Sequence, residues 1–351
     1  MEKIDIKSLS LEELKETIQN MGEKPFRAKQ IYEWLHQKAV MDFEEMTNLS
    51  KKLRERLREE CYIADMKMLD RLVSKDGSTS KFLFGLRDGS VIESVLMKYH
   101  HGNSVCISSQ VGCRMGCKFC ASTLGGLERN LTVSEMLGQI YAIQNISGER
   151  VSNVVIMGTG EPLDNYDNFV KFVRMLTDEQ GYHISQRNIT VSTCGIVERI
   201  RQLAEEQFSI TLAISLHAPN DEARKQLMPV ANKYSISEIL EACDYYFDKT
   251  GRRISFEYSL VQGVNDSEEC AKELGRLLGK RNCHVNLIPV NPIKERDYKD
   301  SDTAFVQNFK MTLEKLGINA TIRREMGRDI DAACGQLRRS YIKKNDSREE
   351  E

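Results

Sequence analysis

Three cysteines lie within eight residues of the chain, in the stretch "CRMGCKFC": Cys113, Cys117 and Cys120. Iron–sulfur clusters usually take four thiolates, and structural zinc sites also take four ligands. Because no fourth cysteine follows at ligand spacing, the three would hold a four-iron cluster and leave one iron open to a small molecule. The spacing therefore predicts an open iron–sulfur cluster. The alternatives are a zinc site completed by a distant Cys or His, and three unconnected core cysteines.

The composition favours a metal or catalytic role for these cysteines over a disulfide framework. The chain has 351 residues, ten of them cysteine. Its first residues, "MEKIDIKSLS", contain no apolar run, and no stretch approaches the roughly 20 apolar residues of a membrane helix. We therefore expect a cytoplasmic protein, a setting in which disulfides are rare.

Charge gives only a local indication of a nucleic-acid partner. The formal net charge of the whole chain is −2. Between Lys310 and Lys344, however, nine Lys or Arg residues stand against four Asp or Glu residues. Such an excess could contact phosphates, or it could be a solvated basic face.

Residues 1–60 predict a small helical domain, which could contact RNA. Ser10 and Glu13 have the spacing of a capping box ahead of "LEELKETIQNM". The stretch "LSKKLRERLREEC" predicts another helix. The segment "FRAKQIYEWLHQ" places four apolar residues near one helical face: Phe26, Ile31, Trp34 and Leu35.

The remaining chain predicts an α/β fold. Residues 61–98 predict a β-hairpin connection with Asp88 and Gly89 at its turn. In residues 99–340, β-rich runs such as "SNVVIMG" and "ITLAISL" alternate with helix-like segments such as "ISEILEACDYYFDKT". This alternation predicts βαβ units and a parallel sheet. We expect a partial parallel (βα)6 barrel with a small N-terminal helical domain and a β-hairpin extension, followed by a flexible tail at 341–351.

Polar residues and glycines directly follow several of these apolar runs. In parallel α/β barrels, active-site residues sit where the strands end, so these groups should share one rim with the cysteine loop. Each alone has a simpler interpretation as a helix cap, a turn or a structural histidine. The residues are Gly158, Gly160, Glu161, Ser192, Ser215, His217 and Asn291.

Two further cysteines, Cys106 and Cys334, could meet if the strand order brings them together. An inert buried thiol is the default for each. Nearby cations favour the thiolate form, however, so Cys334 is a candidate reactive thiol. The cations near it in sequence are Arg323, Arg324, Arg328, Arg338 and Arg339.

The chain as a whole resembles the RlmN family, the dual-specificity adenine-C2 methyltransferases of ribosomal and transfer RNA within the radical S-adenosylmethionine (SAM) superfamily. The resemblance runs from "GEKPFRAKQIYEW" to "DIDAACGQL" and includes "CISSQVGCRMGCKFCAS", "MGTGEPLDN", "TVSTCGIV", "SLHAPND" and "VNLIPVNP". The related Cfr family shares the cysteine triad and the second cysteine pair. It methylates C8 of the same ribosomal adenosine.

The resemblance implies a role for each matching residue. Cys334 would carry the methyl group, Cys106 would resolve the adduct, and Glu93 would be the general base. Cys113, Cys117 and Cys120 would hold a [4Fe-4S] cluster. The residues implied to contact SAM are Gly160, Glu161, Ser192, Ser215, Leu216, His217 and Asn291.

The implied reaction is methylation of C2 in adenosine 2503 of 23S rRNA and adenosine 37 of tRNA, through an S-methylcysteine intermediate and a covalent RNA adduct. Adenine C2 lies between two ring nitrogens and is electron-poor, so it cannot attack the methyl group of SAM directly, whereas a carbon radical can add there. Two SAM molecules would be used per turnover. The expected partners are the two RNAs and an electron donor of the flavodoxin type, and the chain is expected to act as a monomer. The alternatives are Cfr-type C8 methylation and a non-catalytic zinc-binding RNA assembly factor.

Overall fold

The computed structural model describes residues 3–290, 301–324, 327–330 and 341 of the chain. The predictions for Asn291 and Cys334 lie outside the described residues. None of the described helices is both long and apolar enough to cross a bilayer.

The N-terminal part is helical, as the sequence predicts. A short parallel pairing closes it, between β1 (Ile4–Asp5) and β2 (Cys61–Tyr62). The predicted capping box is confirmed, because the Glu13 amide donates to Ser10 Oγ and the Ser10 amide donates to the Glu13 carboxylate. The helices are α1 (Leu11–Asn20), α2 (Phe26–His36) and α3 (Lys51–Glu60).

The prediction that Phe26 belongs to the apolar face of α2 is wrong. Ile31 and Leu35 are buried, but Phe26 is 53% exposed. At 3.6 residues per turn, the five residues from Phe26 to Ile31 turn the helix by about 140°, which moves Phe26 off the buried face. Its ring instead lies against the guanidinium of Arg27, 4.8 Å from the ring centroid.

The predicted hairpin is confirmed and is part of a larger antiparallel unit. The strands β4 (Thr79–Gly85) and β5 (Val91–Tyr99) pair across the turn, where Gly89 has a φ of +87°. On the outer side, β3 (Lys67–Val73) pairs with β4. On the inner side, β5 pairs with β6 (Gly102–Cys106), the first strand of the parallel sheet. The hairpin therefore continues the main sheet.

The cysteine loop and the first barrel helix follow β6. A two-stranded antiparallel ladder of β7 (Gln110–Gly112) and β8 (Leu127–Asn130) flanks the loop. The helix α4 (Val133–Ser147) comes next and is buried along most of its length.

The parallel strands predicted from the apolar runs are confirmed. Within the described residues, β6 and six later strands pair in parallel in sequence order. Because each crossover moves to the next strand in the same direction and crossovers are right-handed, the helices cover one face of the sheet. The later strands are β9 (Val151–Ile156), β10 (Ile189–Thr193), β11 (Thr211–Ser215), β12 (Ile254–Leu260), β13 (Cys283–Pro289) and β14 (Ala320–Ile322).

The two faces of this sheet differ in chemistry. On β9, Val154 and Ile156 are buried in the main apolar core, which also contains side chains of the helices. Val155 points to the opposite face and packs beside Cys106. The helices between the strands are α5 (Tyr166–Thr177), α6 (Val197–Glu205), α7 (Asp221–Leu227), α8 (Ile236–Thr250), α9 (Glu268–Leu278) and α10 (Thr303–Lys315).

Candidate active site

The cysteine loop is held at its two ends by the β7–β8 ladder. The Cys113 amide donates to the Gly126 carbonyl at 2.7 Å. Gly112 has a φ of +77°, and a Cβ there would lie 2.0 Å from the Gly126 oxygen. Only glycine fits this approach, so the position of the first cysteine depends on Gly112.

Inside the loop, backbone groups are bonded locally and to α7. Thr123 Oγ1 donates to the carbonyls of Cys117 and Cys120 at 3.1 and 3.0 Å. The Lys118 amide donates to the Leu227 carbonyl, the last residue of α7, at 2.9 Å. These bonds fix the backbone around two of the three cysteines.

The loop rests on a small apolar cluster of its own. Met115, Cys117 and Phe119 pack against buried side chains at the ends of neighbouring elements. The buried members are Cys194, Leu227, Met228, Val261 and Val290. The second cysteine therefore sits over the carboxyl edge of the sheet.

The three thiols are electrostatic neighbours. The pKa of the Cys113 thiol is raised to about 12, chiefly by burial, and the neighbouring Cys120 contributes to this shift. Burial also raises the pKa of Cys117, and its two partner cysteines add to the shift. Three thiolates this close repel one another, and bound metal charge is what reverses that balance.

The donor set fits an iron–sulfur cluster. Within the described ranges, no three His, Cys, Asp or Glu side chains are arranged to hold one metal ion. A cubane cluster takes each thiolate on a separate iron, so it does not require the three sulfurs to converge on a point. The residues that would hold it are Cys113, Cys117 and Cys120.

Glu161, predicted to contact SAM, hydrogen-bonds the loop after β9 to the segments that follow β6 and β10. Its carboxylate accepts hydrogen bonds from the amides of Leu163 at 3.0 Å and Cys194 at 2.7 Å. Its own amide donates to Gln110 Oε1 at 2.8 Å. Burial raises the pKa of Glu161, and these hydrogen bonds oppose the shift.

Gly160 is required by the same loop. It has a φ of +110°, and a Cβ there would lie 2.6 Å from Cβ of Gln110. The loop after β9 can therefore lie directly against the segment after β6. Contact of Gly160 and Glu161 with SAM stays a prediction.

Two predicted serines are brought together at the rim. The hydroxyl oxygens of Ser192, on β10, and Ser215, at the end of β11, lie 3.3 Å apart. The neighbouring Leu216 is fully buried, and its amide donates to the Glu257 carbonyl at 3.1 Å. The side chain of Leu216 is part of the core, so its backbone is the part available to a ligand.

His217 is buried at the same rim in an unusual backbone conformation, with a φ of +57°. Its Nδ1 accepts a hydrogen bond from the Ser259 amide at 2.9 Å, so in the neutral ring the proton belongs on Nε2. Burial, with a smaller contribution from Arg224, lowers the pKa of His217 to about 3. Its ring meets Phe119 of the cysteine loop edge-on, with 4.8 Å between centroids. His217 is therefore a neutral donor beside the loop.

Glu93 and Cys106 share one face of the sheet. Cys106 lies directly opposite Val95 in the β5–β6 ladder, and Glu93 is two residues from Val95. Residues two apart point to the same side of a strand, so Glu93 and Cys106 are diagonal neighbours. Ser108 Oγ donates to the Glu93 carbonyl at 2.7 Å, which ties β5 to the segment after β6.

Three charged residues of this region were missed by sequence reasoning. Lys81, on β4, places its ammonium 3.2 Å from the Glu93 carboxylate. Glu257, on β12, is buried and pairs with Ser215 on one neighbouring strand and Asn286 on the other. Its carboxylate accepts a hydrogen bond from the Asn286 side-chain amide at 2.8 Å. Arg224, on α7, is fully buried. A Lys inside a buried hairpin strand was a usable signal, whereas nothing local distinguishes Arg224.

The open parallel barrel and the three-cysteine loop at its carboxyl edge define a radical SAM enzyme. Family models match the chain at residues 4–63, for the ribosomal RNA large subunit methyltransferase N-terminal domain, and at residues 107–274, for the radical SAM superfamily.

Whole-chain relatives agree with these matches. A Lachnoclostridium phytofermentans protein is 70% identical over 98% of this chain and 96% of its own length, and a Lachnospira eligens protein is 64% identical over 96% and 97%. Both are named "probable dual-specificity RNA methyltransferase RlmN". A crystal structure of a radical SAM methyltransferase from Sphaerobacter thermophilus superposes with a TM-score of 0.92 at 43% identity, covering 95% of this chain and 98% of that one.

The chain belongs to the RlmN family. It is a radical SAM methyltransferase, and it uses a [4Fe-4S] cluster and SAM.

Proposed function

We propose that the chain methylates C2 of adenine in 23S rRNA and in tRNA. The observation that carries this proposal is the meeting of the cysteine loop, the polar rim and the Glu93–Cys106 face at one end of one sheet. This arrangement would place a radical source beside a thiol and a base. The names of the relatives, dual-specificity RNA methyltransferases, support RNA as the substrate.

The cofactors would be held at the rim by the residues already described. Cys113, Cys117 and Cys120 would ligate the cluster. When bound, the cluster and two SAM molecules supply a methyl group and a carbon radical. The residues proposed to contact SAM are Gly160, Glu161, Ser192, Ser215, Leu216, His217 and Asn291.

His217 and the serine pair suit a polar ligand. The proton on His217 Nε2 has no hydrogen-bond acceptor among the described residues, so it is available to a ligand acceptor. The Ser192 and Ser215 hydroxyls can each donate as well as accept. Because burial lowers the pKa of His217 to about 3, the ring stays neutral at physiological pH and adds no charge to the site.

The protein side of the reaction would use two thiols and one carboxylate. Cys334 would take the methyl group on its sulfur and, after activation, become joined to adenine C2 through that carbon. Glu93 would accept the C2 proton. Cys106, as its thiolate, would attack the sulfur of Cys334. The carbon would leave with the bonding electron pair and take up a proton to become the methyl group, and cellular thiols would reduce the disulfide that forms.

The position of Glu93 supports the proton step. The carboxylate is buried, and the Lys81 ammonium lies 3.2 Å from it. Cys106 ends the neighbouring strand on the same face, so base and thiol would act from one side of the adduct.

The remaining partners are also proposals. An electron donor of the flavodoxin type would reduce the cluster, and the chain would act as a monomer. RNA substrates place its work in the cytoplasm. Bases in folded RNA are recognised after they are splayed out of their stacks, so we propose that the target adenosine is unstacked before it reaches the rim.

The test is a product analysis with purified, anaerobically reconstituted protein. A 23S rRNA fragment and tRNA are incubated with SAM carrying a deuterated methyl group and a reductant, then digested to nucleosides for mass spectrometry against 2-methyladenosine and 8-methyladenosine standards. Labelled 2-methyladenosine from both RNAs is expected. Labelled 8-methyladenosine would replace the proposal with C8 methylation. A zinc-loaded protein without product would favour a non-catalytic RNA assembly factor.

A further inference from the structure

Arg224 is a fully buried cation, with 0% of its side chain exposed. Its guanidinium donates only to backbone carbonyls: Nε to Leu216 at 3.2 Å, Nη1 to Tyr234 at 3.4 Å, and Nη2 to Cys194 at 2.6 Å and Ser215 at 3.3 Å. No carboxylate in the described part of the chain forms an ion pair with it. The side chain thus joins the ends of β10 and β11 without being neutralised.

A buried cation such as the Arg224 guanidinium is stabilised by a nearby negative charge. Removing a charge from water costs free energy, which is recovered only by pairing or by extensive hydrogen bonding. Carbonyl dipoles satisfy the N–H groups of Arg224, and the Asp221 carboxylate of the same helix acts on its charge without forming an ion pair. Hydrophobic residues could fill the same volume at lower cost, so the charge itself needs an explanation.

The cation lies beneath the cysteine loop. Arg224 and Leu227 belong to α7, and the Leu227 carbonyl accepts the hydrogen bond from the Lys118 amide, inside the loop. Cys194, whose carbonyl accepts from Arg224, packs with Cys117 in the apolar cluster under the loop.

We propose that Arg224 is a positioning residue for the cluster: its buried charge offsets the negative charge of the three thiolates and raises the reduction potential of the cluster. The inference rests on the proposed ligation by Cys113, Cys117 and Cys120. A thiolate-ligated cluster becomes more negative when it accepts an electron, so a fixed cation in a medium of low dielectric stabilises the reduced form more than the oxidised form. Arginine suits this task because it stays protonated in proteins.

The experiment compares reduction potentials by EPR-monitored titration of reconstituted wild type, R224Q, R224K and R174Q. The last variant removes an exposed arginine of α5 as a control for charge alone. At a fixed solution potential, R224Q should show at least a tenfold lower ratio of reduced to oxidised cluster, which is a shift of 59 mV for one electron. R174Q should match wild type, and R224K should recover most of the potential near neutral pH.

A second measurement covers the case in which R224Q does not retain iron. A buried ammonium loses its proton far more readily than a guanidinium. The potential of R224K should therefore fall with rising pH more steeply than that of wild type. Parallel pH dependence in the two proteins would overturn the proposal.

The outcomes separate this inference from the proposed function. A wild-type chain that takes up no iron would remove the cluster ligands and the inference together. Wild type with a full cluster and R224Q with the same potential would overturn the role of Arg224 alone. Loss of potential in R224K equal to that in R224Q, at a pH low enough to protonate a buried lysine, would show that the guanidinium geometry and not its charge is what matters.

Discussion

The ammonium of Lys81 lies 3.2 Å from the carboxylate of Glu93, and the two side chains are 0% and 4% exposed. They sit on adjacent strands of the hairpin, where Lys81 faces Val95 and Leu83 faces Glu93. All four side chains therefore point to one side of the sheet, the side that also carries Cys106. The general base that the family resemblance implies therefore has a buried cation beside it.

Breaking this pair should destabilise the chain strongly. Removing one partner of a buried ion pair leaves an uncompensated charge and costs about 3–5 kcal/mol. We expect K81M and E93Q each to lower the free energy of unfolding by that amount, measured by urea denaturation. The double variant K81M/E93Q should cost less than the sum of the two, because no unpaired charge remains. Strict additivity would show that the two groups are not energetically coupled.

Cys106→Ala should trap RNA on the protein. Without the thiol that resolves the adduct, no group attacks the Cys334 sulfur to break its bond to the carbon that joins it to adenine C2. Purified C106A should contain covalently bound RNA that stays with the protein in denaturing electrophoresis. The RNA is detected by its absorbance and by the loss of the adduct band after ribonuclease treatment. Cys243, buried on α8, offers a matched control, since C243A should be free of RNA. RNA-free C106A with full turnover would remove Cys106 from the mechanism.

Cys334→Ala should separate cofactor binding from methyl transfer. The variant should retain about four irons per chain and the affinity of wild type for SAM, while transferring no methyl group to RNA. Iron and sulfide assays, calorimetry with SAM and the nucleoside analysis check these three points. Retained methylation would mean that another group carries the methyl.

Gly112→Ala should disrupt the cysteine loop. The added Cβ would lie 2.0 Å from the Gly126 oxygen, in a residue whose φ is +77°, so the backbone must shift. Strained backbone of this kind costs about 1–3 kcal/mol, and the displaced Cys113 should lower iron uptake after reconstitution. Gly125, where a Cβ would meet nothing within 4 Å, gives the control G125A. Equal iron content in G112A and G125A contradicts the prediction.

Stability in acid should depend on His36, which is fully buried between α2 and α4, with Nδ1 3.0 Å from the Tyr141 hydroxyl. Burial lowers its pKa to about 3 from an ordinary value near 6.5. Below pH 6.5 the unfolded chain therefore binds a proton that the folded chain does not, and stability falls as the pH drops toward 3.

The measurement is the free energy of unfolding of wild type and H36Q between pH 7 and pH 5. The difference between the two should change by ~1.4 kcal/mol per pH unit below pH 6.5, with wild type losing stability faster. Parallel curves for the two proteins would show that the His36 ring does not resist protonation in the folded state.

Much of the fold could be predicted because its signals are local. Several strands of the parallel sheet are apolar runs with polar or glycine residues at or just beyond their ends, and "SNVVIMG" and "ITLAISL" became β9 and β11. The Asp88–Gly89 pair marked the hairpin because glycine accepts the positive φ of the turn. The rim residues converge because parallel strands end at the same edge, so strand order alone brings Ser192 to Ser215.

The remaining parts depend on register and packing. The Lys81–Glu93 pair exists only because β4 and β5 pair in one register, and a slip of one residue would turn Lys81 to the other face. Arg224 looks like an ordinary charged residue of a short helix, and its burial follows from how α7 meets the ends of two strands. The misplacement of Phe26 was avoidable, because the helical period already sets it about 140° from Ile31 on α2.

In the described part of the chain, ten strands from β14 to β3 form one continuous sheet, which has a mechanical consequence. Glu93 and Cys106 belong to the same hydrogen-bonded sheet as the strands that position Ser192, Ser215 and His217. In the described residues, no break in the ladder separates the two groups. The target nucleotide must therefore move into a site whose parts are already in place. RNAs that deform easily at the target should be the better substrates.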